Sequence, residues 1–215
     1  GFFPALLGEV VEKRKKYKQE YNENKNPLTK ARSNAYKLLA NASYGYLGFF
    51  GARYYCREAA ASTLAWVRQF TTDSMKKIKD KDYNIIFSDT DSIGFELNGK
   101  SEKQTIEFLK EINSDLPGIM ELELEGFFKR GLFVSKRTTK TGAKKKYALM
   151  RKDGTLKITG FEFVRRNWSL FAREVQKKTL GLVLDNKVDE ALAYVKEMVK
   201  ELKEGWVDFN KLVLR

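Results

Sequence analysis

Asp89-Thr90-Asp91-Ser92 sets two carboxylates two residues apart, between the β-prone runs Tyr83 to Phe87 and Ile93 to Leu97. Such runs on either side of a polar tetrad predict a hairpin, and strand alternation would put both carboxylates on one side of the chain. Two hard oxygen ligands so close repel unless a cation sits between them, and Mg²⁺ suits that role. An ordinary Asx-type turn is the competing reading. A calcium loop is another, since Asp89-x-Asp91-x-x-Gly94 matches the start of an EF-hand, but the position that needs glutamate is Lys100.

A second constellation is Lys37, Asn41 and Tyr44, followed at once by Gly45. On a helix these fall at i, i+4 and i+7, so an ammonium, an amide and a phenol line one stripe, suited to a triphosphate and then a flat base or sugar. Arg14 and Lys18 form another cationic stripe, able to face the first across a helical hairpin. Solvated charge is the alternative for either stripe alone. From Lys129 to Arg151, nine Lys/Arg residues meet no acidic residue. A surface of that kind tracks a phosphate backbone, with a solvated loop as the alternative. Tyr147 beside Lys144, Lys145 and Lys146, and Arg165-Arg166 near Trp168, add groups suited to positioning a strand.

These residues need a scaffold, and the chain reads as α+β. From Pro4 to about Glu23 a long, solvated helix is expected, broken over Asn22 to Pro27, with a second helix from Leu28 or Thr29 to Tyr44. The first 45 residues therefore read as a helical hairpin, followed by punctuating glycines at Gly45, Gly48 and Gly51. The Ala-rich segment from Arg57 to about Lys79 reads as a buried helix, with Ala60, Leu64, Val67 and Met75 near helical spacing. Beyond the hairpin, a helix is expected from about Glu102 to Asn113 and a strand at Ile119 to Glu125. Strands at Phe133 to Ser135 and Tyr147 to Met150, a tight turn at Asp153-Gly154, and helices over Trp168 to Leu184 and Val188 to Leu202 complete the series.

Composition narrows the chemistry. Among 215 residues there are 41 Lys+Arg against 28 Asp+Glu, a net charge of +13 that favours polyanionic partners. Histidine is absent and Cys56 is the sole cysteine, which excludes Ser-His-Asp and Cys-His catalysis, histidine or multi-cysteine zinc sites and an internal disulfide. No apolar run reaches the roughly 18 residues of a membrane span, and the N-terminus lacks the order of a signal peptide, so a cytoplasmic protein is expected.

The segment Lys37-Leu38-Leu39-Ala40-Asn41-Ala42-Ser43-Tyr44-Gly45 resembles the finger motif of family B DNA polymerases, usually Lys-x-x-x-Asn-Ser-x-Tyr-Gly. Asp89-Thr90-Asp91-Ser92 resembles that family's second palm carboxylate motif, normally Tyr-x-Asp-Thr-Asp. The two occur in the family's order and separation. Similarity, most clearly to archaeal members, extends over almost the whole chain: Gly1 to Lys18 resembles the start of the fingers and Glu121 to Gly131 the end of the palm. Lys144-Lys145-Lys146-Tyr147 resembles the Lys-Lys-Arg-Tyr primer-contact motif, and Phe161 to Ser169 the approach to the thumb.

The resemblance implies fingers over residues 1–48, the C-terminal part of the palm over 49–130, and a palm–thumb junction with partial thumb over 131–215. It implies helical-hairpin fingers, an antiparallel palm fragment with packed helices and a mostly helical thumb base. By similarity, Arg14, Lys18, Lys37 and Asn41 would hold the incoming dNTP and Tyr44 would pack against the nascent base pair. Asp91 would ligate two Mg²⁺ ions, for which Mn²⁺ could substitute, with Asp89 close by and Glu121 and Glu123 where members carry acidic residues near the metals. Lys144, Lys145, Lys146, Tyr147, Arg165 and Arg166 would hold primer-template DNA. The implied reaction is two-metal nucleotidyl transfer to a primer 3′-hydroxyl, which needs no histidine.

Ala42 stands where the family usually has Ser, Phe87 where it has Tyr and Asn167 where it has Asp, and the Ser135 to Lys146 loop is longer than in most archaeal members. None of these changes removes a charge the chemistry needs. The family's first palm motif, with the other metal-binding aspartate, would precede Gly1, as would the exonuclease. The expectation is thus a C-terminal part of a polymerase, inactive alone and completed by a second polypeptide or an N-terminal region. A non-catalytic DNA-binding accessory subunit that keeps the polymerase fold is the competing class, and a Mg²⁺-dependent nuclease a further one.

Overall fold

The computed structural model describes residues 1–135, 142–165 and 167–214. The chain divides into two units, Gly1–Ile78 with Thr90–Ser92, and Lys79–Asp89 with Ile93–Arg215. The architecture is α+β, as expected.

The first unit is helical. Helix α1 spans Phe2–Asn24, α2 spans Pro27–Gly48 and α3 spans Arg57–Asp80, whose last two residues pass into the second unit. Two residues separate α1 from α2. Lys25 ends α1 in the left-handed region at φ 51°, and Asn26 begins α2 by accepting the Leu28 N–H at 2.9 Å, with Pro27 in the first turn where its missing N–H costs nothing. The Tyr17 and Tyr36 rings stack at 5.7 Å, and Phe3 stacks on Tyr46 at 6.5 Å, so the two helices run antiparallel. Phe2, Phe3 and Tyr54 add an aromatic knot at the open end. Unlike the expected stop at Tyr44, α2 continues through Gly45 to Gly48. A helical glycine costs only about 1 kcal/mol, which one further turn of backbone bonds can offset.

The expected burial of α3 is not what the structure has. Only Ala60, Ser74 and Ile78 are buried along it, while Leu64 and Trp66 are exposed, Trp66 stacking on Phe70 at 5.7 Å. Apolar spacing marks one face of a helix, but nothing in this unit covers that face.

The second unit contains two sheets. Strands β1 (Asn84–Asp89) and β2 (Ser92–Glu96, its first residue grouped with unit one) form the predicted hairpin. Behind it lies α4 (Glu102–Ser114), opened by a reciprocal capping box between Ser101 and Gln104. Tyr83 stacks on Phe108 at 5.3 Å and bonds Thr105 at 3.2 Å, fastening the start of the hairpin to this helix. The three-stranded sheet has β4 (Gly142–Arg151) between β3 (Phe128–Ser135) and β5 (Leu156–Thr159), all antiparallel. The turn expected at Asp153-Gly154 forms, with Gly154 at φ +83°, and joins β4 to β5, a strand not expected from the sequence. A 3₁₀ turn over Glu162–Val164 leads to α5 (Leu170–Leu184), then α6 (Val188–Glu204) and the short α7 (Phe209–Leu212).

Successive residues of β4 serve opposite faces. Ala148 and Met150 join Phe161, Leu180 and Leu184 in the core under α5. Tyr147 turns to the other face, where its ring lies 4.9 Å from Phe87 and 5.8 Å from Phe133. This triad fastens the hairpin to the larger sheet, at roughly 0.5–1.5 kcal/mol per aromatic pair beyond area burial. A side chain at Gly94 would overlap the Phe87 ring, so glycine there lets the ring lie flat over β2.

The strand expected at Ile119 to Glu125 does not form. Glu and Leu residues alternate along the segment, but it takes no regular secondary structure. The Leu122 N–H instead donates to the Asn113 side chain at 2.8 Å, and that amide donates back to the Leu122 carbonyl at 3.0 Å. Two side-chain bonds thus replace a partner strand.

Candidate active site and nucleic-acid interface

Asp89 closes β1 and Asp91 is the second residue of the two-residue turn. Thr90 between them has φ 57°, the left-handed region that a β-branched residue adopts only under constraint. One constraint is visible: the Thr71 hydroxyl of α3 donates to the Thr90 carbonyl at 3.4 Å. The alternation expected to align both carboxylates therefore applies as far as Asp89 and stops at the turn. The Asp89 side chain is 29% exposed and its Oδ1 lies 3.6 Å from the Lys145 ammonium. Asp91 is exposed.

In kind, these donors fit a hard divalent cation. In number they fall short, because no group of three His, Cys, Asp or Glu side chains able to hold a metal occurs among the described residues. Glu121 and Glu123 lie on the segment that forms no strand.

Lys37, Asn41 and Tyr44 share α2 at the expected spacing, and all three are exposed on a helix that buries no residue. Arg14 and Lys18 are half-buried on α1. The Tyr17–Tyr36 stack sets the level of one helix against the other. At about 1.5 Å per residue, Arg14 and Lys18 fall along the same stretch of the hairpin axis as residues near 39 and 35. The structure therefore brings the two cationic stripes to one level of the hairpin.

The basic run from Lys129 to Arg151 is not a uniform surface. Lys129 pairs with Asp185 at 3.1 Å, and the Arg130 guanidinium donates to the Leu184 carbonyl at 3.3 Å, so both cations serve the C-terminal end of α5, where the helix dipole favours positive charge. The Lys129 ammonium holds the Asp185 carboxyl below the usual carboxylate range. Arg151 lies 5.3 Å from the Phe128 ring. Lys145 has φ 58° and reaches toward Asp89. Gly160, at φ +68°, lies so close that a side chain there would overlap the Lys145 carbonyl. Lys146, on the opposite face, donates to Glu162 at 2.9 Å with its ammonium 5.1 Å from the Phe161 ring.

Tyr147 is only 8% exposed, its ring committed to the triad. Arg165 is exposed beside the 3₁₀ turn. Arg166 and the side chain of Lys144 lie outside the described residues.

Sequence reasoning missed Glu162. Its carboxylate accepts from Lys146 and, at 2.8 Å, from Gln176, and these bonds hold its carboxyl at about 2, well below the usual range. The one available signal was a lone acid between Lys157 and Arg165. Two grooves on the helices, one lined by Lys178, Tyr194 and Lys200 and another by Trp168, Val175 and Leu202, contain none of the predicted residues.

With this geometry established, comparison with known proteins is decisive on family. A sequence profile described as DNA polymerase family B matches residues 1–215. The chain belongs to DNA polymerase family B. It is 39% identical over 222 residues to DNA polymerase 1 of Pyrococcus abyssi (strain GE5 / Orsay), covering 99% of this chain and 28% of that protein. It is 39% identical over 224 residues to the DNA polymerase of Thermococcus gorgonarius, again 28% of the relative, and 38% identical over 225 residues to that of Desulfurococcus sp. (strain Tok). The chain thus spans about 28% of the length of these family B relatives. Among the described residues no helix is long and apolar enough to cross a membrane.

Proposed function

We propose that this chain supplies the fingers (1–48), the second part of the palm (49–130) and the palm–thumb junction with the start of the thumb (131–215) of a cytoplasmic, template-directed DNA polymerase. One observation carries the reading: in a chain matched by the family from end to end, the carboxylates Asp89 and Asp91 stand on either side of the constrained Thr90, while Lys37, Asn41 and Tyr44 line an open helical stripe. Arg14, Lys18, Lys37 and Asn41 bind the triphosphate of the incoming dNTP by charge and hydrogen bonding, and Tyr44 lays its ring against the nascent base pair. From the Lys144 to Tyr147 run, Lys144 and Lys145, with Arg165 and Arg166, follow the backbone of the primer-template duplex.

Asp89 and Asp91 would hold Mg²⁺, or Mn²⁺ in its place, which when bound supplies charge neutralisation at the reacting phosphates. Two carboxylates are an incomplete donor set for that task. The first palm motif, from an upstream region or another polypeptide, completes it. Before any metal binds, the Lys145 ammonium offsets the charge of Asp89.

Primer extension tests this reading, with the chain alone and with a polypeptide carrying the first palm motif. The expected outcome is extension only in the mixture. Robust extension by the chain alone overturns the need for a partner. Duplex binding without extension in either case favours the non-catalytic accessory role.

A further inference from the structure

The lysine run on β4 looks uniform in sequence, but Lys145 and Lys146 stand in different surroundings. Lys145 is 65% exposed, and among the described residues its ammonium makes one ion pair, a long one at 3.6 Å to Asp89. Lys146 is 33% exposed and its ammonium donates at 2.9 Å to a Glu162 carboxylate that is itself 26% exposed.

Glu162 is tied in further. Gln176 of α5 donates to its second oxygen at 2.8 Å, and the other end of that amide accepts the Phe163 N–H at 2.6 Å. One turn earlier on α5, Arg173 donates to the Phe163 carbonyl at 2.8 Å. Both backbone groups of Phe163 are therefore held by side chains of one helix face, and the adjoining carboxylate is held between that helix and strand β4. A charged group with two donors in this arrangement does not exchange partners as a surface pair does.

We infer that Glu162 is a positioning residue that withdraws Lys146 from the nucleic-acid footprint and uses its charge to fasten β4 to α5, leaving Lys145 as the lysine of this pair that meets phosphate. The inference rests on the proposed DNA interface. It gives neighbouring residues of one motif separate tasks, divided at the left-handed residue Lys145.

The test uses the 215-residue chain and a fluorescein-labelled primer-template duplex, with affinity measured across a KCl series. Each phosphate neutralised contributes about 0.9 to the slope of log K against log salt. Lys145→Met should reduce the magnitude of this negative slope by about 0.9, Lys146→Met should leave it unchanged, and Glu162→Gln should increase the magnitude by about 0.9 as the freed ammonium takes up a phosphate. An equal fall for Lys145→Met and Lys146→Met overturns the inference.

A double-mutant cycle by thermal denaturation of the free chain gives a second measurement. Lys146→Met and Glu162→Gln should shift the melting temperature non-additively, and additive shifts overturn the inference. Should no variant bind the duplex, the polymerase reading fails while the cycle still decides whether Glu162 holds Lys146.

Discussion

The α1–α2 hairpin and strand β4 both carry candidate binding residues, on opposite terms. Helix α2 buries no residue, so Lys37, Asn41 and Tyr44 project from an element that owes little to their side chains. Strand β4 is the reverse: Tyr147 to Met150 are all buried, and Lys145 and Lys146 hold partners inside the same unit. On an open helix, function and stability can be altered separately. On the central strand of a sheet they share residues, and any loss of binding there must first be cleared of a loss of fold.

Substitutions can break or sharpen this contrast. The largest effect is expected for Asp91→Ala in the completed polymerase, where loss of several kcal/mol of charge stabilisation means roughly 10³-fold slower extension with duplex affinity largely retained. Extension within tenfold of wild type would remove Asp91 from the chemistry. Leu184→Ala, in the core beneath β4, should cost about 2–5 kcal/mol, read as a lowered melting temperature.

Lys37→Ala offers the matching case on α2. Its unfolding free energy should stay within about 0.5 kcal/mol of wild type. The KM for dNTP should rise roughly 10-fold to 100-fold, about 1.4–2.8 kcal/mol, with DNA affinity unchanged. A large loss of DNA affinity at Lys37 would erase the distinction between the two regions.

The smallest effect concerns pH. The Glu162 carboxyl is held at about 2 by Lys146 and Gln176, against an ordinary value of 4.5. A depressed carboxyl contributes stability that is fully present above the ordinary value and is lost as pH falls through the folded one. The melting-temperature advantage of wild type over Glu162→Gln should therefore narrow as pH drops from about 4.5 toward 2, and a constant difference would contradict the bonding described.

Patterns confined to one element were legible in the sequence. The break at Asn22 to Pro27, the hairpin around Asp89 to Ser92 and the helix opened by Ser101 follow from caps, prolines and alternation. What depends on a neighbour was not. Ile119 to Glu125 alternates as a strand should, but alternation supplies no partner, and the Asn113 amide takes the bonds of Leu122 instead. The apolar positions of α3 predicted burial without supplying the surface that would cover them. At the site, residue types and helical spacing located the stripe on α2. The separate partners of Lys145 and Lys146 arise from a left-handed residue within β4 and an acid on a later turn, and neither leaves a local pattern.

Gly160 carries no functional group, yet it governs how mutational data from this region must be interpreted. Adding one methyl group there would push directly on the backbone of Lys145, and the displacement would reach Lys146 through the shared chain. A Gly160→Ala chain would therefore mimic the loss of two lysines whose charges are both still present. In a scan that scores only activity, this position would be counted among the ligand-contacting residues, although what it contributes is empty space and a left-handed backbone.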